Sequence, residues 1–274
     1  MKYMSNNKAK VIAVMNQKGG VGKTTTVLNL GVGLARLGFR VLLIDADPQG
    51  SLTVSLGVKN HEELPVTLAT IMNNVMDGTL PMPSYGILQH REHIDFVPAN
   101  RSLSGAANAL RNAENREYIL KTYVDSLREW YDFILIDCLP SLGVLAINSL
   151  VAADSVIIPC HPAYLSTKGL GQLFGTIGRV QRNLNPNLVI DGILLTVVEI
   201  WTRNAREIVN ALRDGIGKRV HIYTTMIPKS VRAIECCNTG VSIFRHNPSG
   251  KVAEAYARFT LEVLTYGNEA AKAN

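Results

Sequence analysis

The run KVIAVMN (10–16) passes straight into the glycine-rich stretch QKGGVG and then into KTTTVLNLGVGLARLG. A short apolar run rich in Val and Ile reads as a strand buried on both faces. The segment after it carries a helical apolar pattern over 23–37, closed by Gly38 as its C-terminal cap. A doubly buried strand joined to a helix by a glycine turn commits the chain to a sheet with helices packed on it.

The rest of the sequence repeats that alternation. RVLLID (40–45), IDFVPA (94–99), DFILID (132–137), DSVIIP (154–159) and VIDGILLTVV (189–198) read as strands, and 219–228 contains one more. Helices are predicted over 101–112, 115–129, 143–152, 166–183, 203–214 and 249–266, with a weak one at 67–76. The expected fold is α/β, a mostly parallel twisted sheet with helices on both faces. With 274 residues, 47% of them hydrophobic, the chain suits a single domain over 1–274. The stretch 57–92, with Pro65, Pro81 and Pro83, reads as a divergent surface excursion from it. About ten residues precede the first strand, too few for an N-terminal helix-turn-helix domain.

No apolar run approaches the ~18 residues of a membrane span, and the polar N-terminus has no signal segment, so a cytoplasmic location is expected. The four cysteines, Cys138, Cys160, Cys236 and Cys237, form no CxxC pair and read as reduced thiols. The net charge is +6, and twelve basic against six acidic residues between Arg179 and Arg258 account for all of it. Such a surface is either simply solvated or suited to a polyanion.

Gly22-Lys23-Thr24 stands between a strand and a helix, as a phosphate-binding loop requires. Gly19, Gly20 and Gly22 let successive backbone N–H groups turn toward phosphate oxygens. The helix N-terminus adds partial positive charge. Lys23 is placed to contact the β- and γ-phosphates and Thr24 to ligate Mg²⁺, with Val21 and Thr25 completing the cradle. The loop departs from GxxxxGK[ST] in one respect. Gln17 occupies the first glycine's place, and a second lysine, Lys18, follows it.

KGGVGKTTT resembles the deviant Walker A loop of the ParA/MinD group of P-loop ATPases. VLLIDADPQGSLTVSLG, YDFILIDCLPSLGVLAINSLVAADSVIIP and IPKSVRAIECCNTGVSIFRHNPSGKVAEAY resemble further segments of its Soj-type branch. The resemblance implies an ATP-dependent dimer in which Lys18 crosses the interface to the partner's nucleotide phosphates. Electrostatics supports a second cation, because an ATP tail buried between subunits leaves several negative charges to offset. It also implies that Asp47 orients the attacking water and that Asp45 lies near the Mg²⁺ water shell. Asp137, at the tip of a Walker B strand, would hold Mg²⁺ and Pro228 would lie against the purine. For a strand-end aspartate the alternative is a helix cap, which stays open for Asp45.

In the Soj-type branch the ATP dimer binds DNA without sequence preference and is released when a ParB-like centromere-binding protein stimulates hydrolysis. Arg232 falls on a DNA-contacting arginine of that branch, with Lys229 beside it. Trp201 replaces another, with Arg203 and Arg206 close by. Leu139 and Ala163 also depart from the pattern. The implied function is an ATPase of slow turnover for DNA partitioning, nucleoid-associated in the cytoplasm. A MinD-like membrane-positioning ATPase is the alternative. The tail LEVLTYGNEAAKAN is short of the basic and bulky apolar residues a membrane helix uses, so no stable membrane association is expected. An iron–sulfur electron-transfer ATPase would need shared cysteines, which Cys138 fits poorly.

Overall fold

The computed structural model describes residues 8–162, 168–199 and 220–273, with isolated positions between 207 and 217. In chain order it contains β1 (Lys10–Val14), α1 (Lys23–Arg36), β2 (Val41–Ala46), α2 (Ser51–Ser55), α3 (Leu68–Met76), β3 (Leu88–His90), β4 (Ile94–Val97), α4 (Ser102–Ala109) and α5 (Ile119–Leu127). There follow β5 (Phe133–Cys138), α6 (Val144–Ala152), β6 (Ser155–Cys160), α7 (Lys168–Asn183), β7 (Val189–Val198) and β8 (Ile222–Pro228). Three helices close the chain: α8 (Val231–Thr239), α9 (Ile243–His246) and α10 (Lys251–Ala273). The helix expected over 203–214 falls almost entirely outside the described residues.

The strands form one sheet in the order β3-β4-β2-β5-β1-β6-β7-β8. Every pairing is parallel except β3 with β4. The strand pleat explains the two-sided core. Val11 and Ala13 face a cluster shared with α3, α5, α6 and α7, while Ile12 and Val14 face a second cluster shared with α1 and α10. Lys10↔Phe133 through Val14↔Asp137, and Asp45↔Asp137, bring the tips of β1, β2 and β5 together at their carboxyl ends. Ligands collect at such tips in parallel sheets.

The middle of 57–92 is not surface. Thr67 caps α3 in a reciprocal capping box with Thr70. Leu68, Ile71 and Met72 are buried in the core, each contributing roughly 2 kcal/mol. The same stretch supplies the outermost strand, β3. It also clasps the C-terminal region. The Glu92 carboxylate accepts from Ser242 N at 2.7 Å and Ser242 Oγ at 2.6 Å, and Arg91 Nη2 donates to Gly240 O at 3.3 Å. Beside this clasp Gly57 and Gly240, both at positive φ, cross so closely that a Cβ on Gly240 would stand 2.7 Å from Gly57 Cα.

Candidate nucleotide-binding site

The loop after β1 is tied down before it reaches α1. Asn16, missed by the sequence reading, donates through Nδ2 to Pro159 O at 2.8 Å and accepts from Lys18 N at 3.0 Å. Gly22 then enters the helix at φ 78°, a left-handed conformation that disfavours any side chain. Lys23, buried in the first turn, donates through Nζ to the carbonyl of Lys18 at 3.2 Å. The two lysines of the loop are therefore linked through the backbone of one and the ammonium of the other. Burial lowers the Lys23 ammonium from its usual value, against the attraction of Asp137 and Asp47. The Lys18 side chain is exposed.

The carboxylates divide into two kinds. Asp45 is fully buried, and both its oxygens are engaged. Oδ1 accepts from Asp47 N at 3.2 Å, while Oδ2 accepts from Thr53 N at 2.8 Å and Thr53 Oγ1 at 2.7 Å. Thr53 lies in α2, so Asp45 holds that short helix by its first turn, in the manner of a cap. Burial pushes the Asp45 carboxyl up to about 6, despite the Thr53 and Asp47 hydrogen bonds. Asp47 is half-buried and accepts from Gln49 N at 2.9 Å, which shapes the turn into α2.

Asp137 is 1% exposed and, among the described residues, receives one side-chain hydrogen bond, from Thr24 Oγ1 to Oδ2 at 2.7 Å. Its Oδ1 is buried with no hydrogen-bond partner among the described residues. Burial first, then Asp45, drive its carboxyl far above the usual carboxylate range. An orphaned buried carboxylate oxygen beside a threonine hydroxyl is a site that a hard cation fits. Among the described residues no group of three or more His, Cys, Asp or Glu could hold a metal ion. Mg²⁺ takes few protein ligands and fills its shell with water and phosphate oxygens.

A cavity of about 410 Å³ opens over this loop, lined by Gly20, Gly22, Lys23, Thr24, Thr25 and Pro228. The structure thus brings Pro228, more than two hundred residues away, into the same cavity wall as the glycine loop. Sequence reasoning missed three further parts of this wall. Thr196 donates to Val21 O at 2.8 Å, and Val197 takes φ 55°, a strained value for a β-branched residue. Tyr256, from α10, lines the cavity with its hydroxyl 3.3 Å from Thr26 Oγ1. No local pattern marks these residues, because each depends on how distant strands and helices assemble.

Residues 9–190 match the AAA domain family (AAA_31). The sporulation initiation inhibitor protein Soj of Bacillus subtilis (strain 168) is 38% identical over 264 residues, covering 94% of this chain and 99% of the relative. The chromosome partitioning protein ParA of Caulobacter vibrioides (strain NA1000 / CB15N) is 36% identical over 264 residues, covering 96% of each. The chain belongs to the ParA/Soj-type partitioning ATPases. Among solved structures, cobyrinic acid a,c-diamide synthase from Mycobacterium smegmatis with bound ATP analog and magnesium has a TM-score of 0.80, 37% identity and 92% coverage of both chains. The septum site-determining protein MinD from Pyrococcus horikoshii OT3, complexed with Mg-ADP, is 22% identical with a TM-score of 0.69 and shares the fold.

Two of the four basic residues singled out by the ParA/Soj resemblance fall among the described ones. Lys229 and Arg232 are exposed, at and just before the first turn of α8, which borders the cavity. Lys229 Nζ pairs with Glu199 at 2.7 Å and Arg232 with Glu235 at 3.1 Å. Exposed pairs of this kind contribute roughly 0–1 kcal/mol, so a phosphate can displace the carboxylate. Arg203, Arg206, Trp201 and Ala163 lie outside the described residues. Leu139 is half-buried against the core, and its carbonyl accepts from Ser141 N at 2.9 Å within the turn after β5. No helix among the described residues is long and apolar enough to cross a membrane.

Proposed function

We propose that this chain is an ATP-dependent, dimerising switch ATPase of DNA partitioning. The observation that carries the reading is the open Oδ1 of Asp137 beside Thr24, under a cavity walled by the glycine loop and Pro228. ATP would occupy that cavity, its phosphates on the amides of 19–25 and its purine against Pro228. Thr24 and Asp137 would hold Mg²⁺, with Asp45 near its water shell. The bound cation would neutralise charge on the β- and γ-phosphates. Lys23 would exchange the Lys18 carbonyl for phosphate oxygens, and Asp47 would orient the attacking water.

Lys18 is exposed and is not among the residues lining its own chain's cavity. That supports a role toward the phosphates of a second copy, with closure of the homodimer following ATP binding. Slow hydrolysis until a ParB-like partner acts would suit such a switch. Lys229, Arg232, Arg203 and Arg206 would meet DNA phosphates, giving salt-sensitive binding without sequence preference. The protein would then reside in the cytoplasm on the nucleoid.

The test is duplex-DNA binding with ATP, ADP or no nucleotide, at two salt concentrations. ATP-dependent binding that weakens with salt is expected, along with loss of ATP-driven dimerisation in Lys18→Ala. Binding to anionic liposomes in place of DNA, or a monomer under saturating non-hydrolysable triphosphate and Mg²⁺, overturns the reading.

A further inference from the structure

The edge of the sheet farthest from β8 carries an exposed apolar group. Leu80 is 51% exposed, Met82 75%, Tyr85 38% and Trp130 59%. Single exposed apolar residues are ordinary on a protein surface. Here two of them share a cavity of about 380 Å³, in which Met82, Pro83, Ile87 and Trp130 supply apolar wall, and Gln89 and Asp95 supply polar lining. A tryptophan and a methionine left in water around a concave site are the composition of an interface anchor.

Among the described residues, Asp95 is the one ionised group lining this cavity. Tyr131 donates its hydroxyl to Asp95 Oδ2 at 2.8 Å, which fixes the carboxylate in place. Oδ1 receives no hydrogen bond among the described residues. An ionised carboxylate is acceptor-only, so it calls for a donor, and in a half-covered apolar site the best donor is a cation. The same charge repels phosphates, which disfavours a nucleic acid. Among the described residues β3, which supplies Gln89, is the outermost strand of the sheet and pairs only with β4. Its other side offers backbone groups to an extended segment, the arrangement used in strand addition.

We propose that the cavity between Met82 and Trp130, beside edge strand β3, docks an extended segment of another protein that carries a bulky apolar side chain next to a lysine or arginine. The apolar side chain fills the space over Trp130, and the cation meets Asp95. This surface shares no lining residue with the nucleotide cavity, so the inference stands apart from the partitioning mechanism. It also gives the divergent stretch 57–92 a role beyond its helix in the core.

Trp130 is one of two tryptophans, so a Trp201→Phe chain isolates its fluorescence. That chain is titrated with the capped peptides Ac-Gly-Phe-Arg-Gly-amide, Ac-Gly-Phe-Glu-Gly-amide and Ac-Gly-Ser-Arg-Gly-amide. The first is expected to change Trp130 emission with a Kd on the order of 1 mM, suited to so short a ligand. The glutamate and serine peptides should bind about fivefold more weakly or not at all. Asp95→Asn should erase the preference for arginine over glutamate, and Met82→Ala should weaken the first peptide without changing ATPase rate. The Met82 methyl NMR signal provides a second reading on the same titration. No response to any peptide, an equal response to arginine and glutamate, or indifference to Asp95→Asn overturns the proposal. So does a Trp130 change produced by a DNA duplex, or by raising the concentration of the protein alone.

Discussion

The tips of β2 and β5 stand side by side, with Asp45 opposite Asp137 in the parallel ladder and both side chains buried. The same residue type, at the same depth, has been put to two uses. Asp45 is saturated by three donors and anchors α2. Asp137 has one donor and an oxygen left open. Burial raises both carboxyls, but only the first has hydrogen bonds on both oxygens to compensate. A carboxylate with its hydrogen bonds complete is a structural tie, whereas one held short of completion is poised for a cation the protein must acquire. The second arrangement costs stability in the ligand-free chain, a common trade at functional sites.

Substitution at each tip separates these roles. Asp137→Asn keeps an acceptor for Thr24 but removes the negative charge. Its ATP turnover, measured by phosphate release, should fall on the order of 100-fold or more, equivalent to about 3 kcal/mol or more of barrier. The same variant without nucleotide should be more stable by about 1–2 kcal/mol in urea unfolding, because a buried charge opposed by burial and Asp45, and only partly offset by Thr24 and Lys23, is gone. If its stability drops instead, Asp137 is a tie like its neighbour and the comparison fails. Asp45→Ala should behave the opposite way, losing about 2–4 kcal/mol as Thr53 N–H and Oγ1 lose their acceptor.

A finer cut is Thr53→Val. It removes only the hydroxyl that donates to Asp45 and accepts from Ala99 N at 3.0 Å. About 1–2 kcal/mol should be lost, and ATP binding by calorimetry should change little. The smallest effect is in pH. A carboxyl whose folded pKa lies above its unfolded value takes up its proton preferentially in the folded state. Stability therefore rises as pH falls through the folded pKa, about 6 for Asp45, toward the ordinary value of 3.8. Asp137 shifts in the same direction. The stability advantage of Asp137→Asn over the unaltered chain should accordingly shrink between pH 7 and about 5 in ligand-free unfolding curves. An advantage that stays constant means the charge was never the cost.

The position and type of the buried strands were legible because each is an apolar run, and β1, β2, β5 and β6 fall where those runs do, whereas their order in the sheet was not. The glycine loop was legible because its chemistry is contained within ten residues. Asp45 illustrates the boundary. Its place at the strand tip could be read, and its choice between cation and cap could not, since Thr53 becomes its partner only when α2 folds back. Thr196 lies 175 positions from the carbonyl it binds, and no spacing rule spans that interval. The five-residue α2 and three-residue β3 are too short for periodicity to register. The stretch 57–92 looked irregular because its helix packs into the core while its prolines and charges dominate the composition.

The crossing of Gly57 over Gly240 joins these parts mechanically. Gly57 terminates the connection from α2, and Gly240 terminates α8, whose first turns border the nucleotide cavity and carry Arg232. With no side chain on either residue, the two main chains touch with nothing soft in the gap to absorb a displacement. A shift of α2 toward the crossing would therefore press directly on α8.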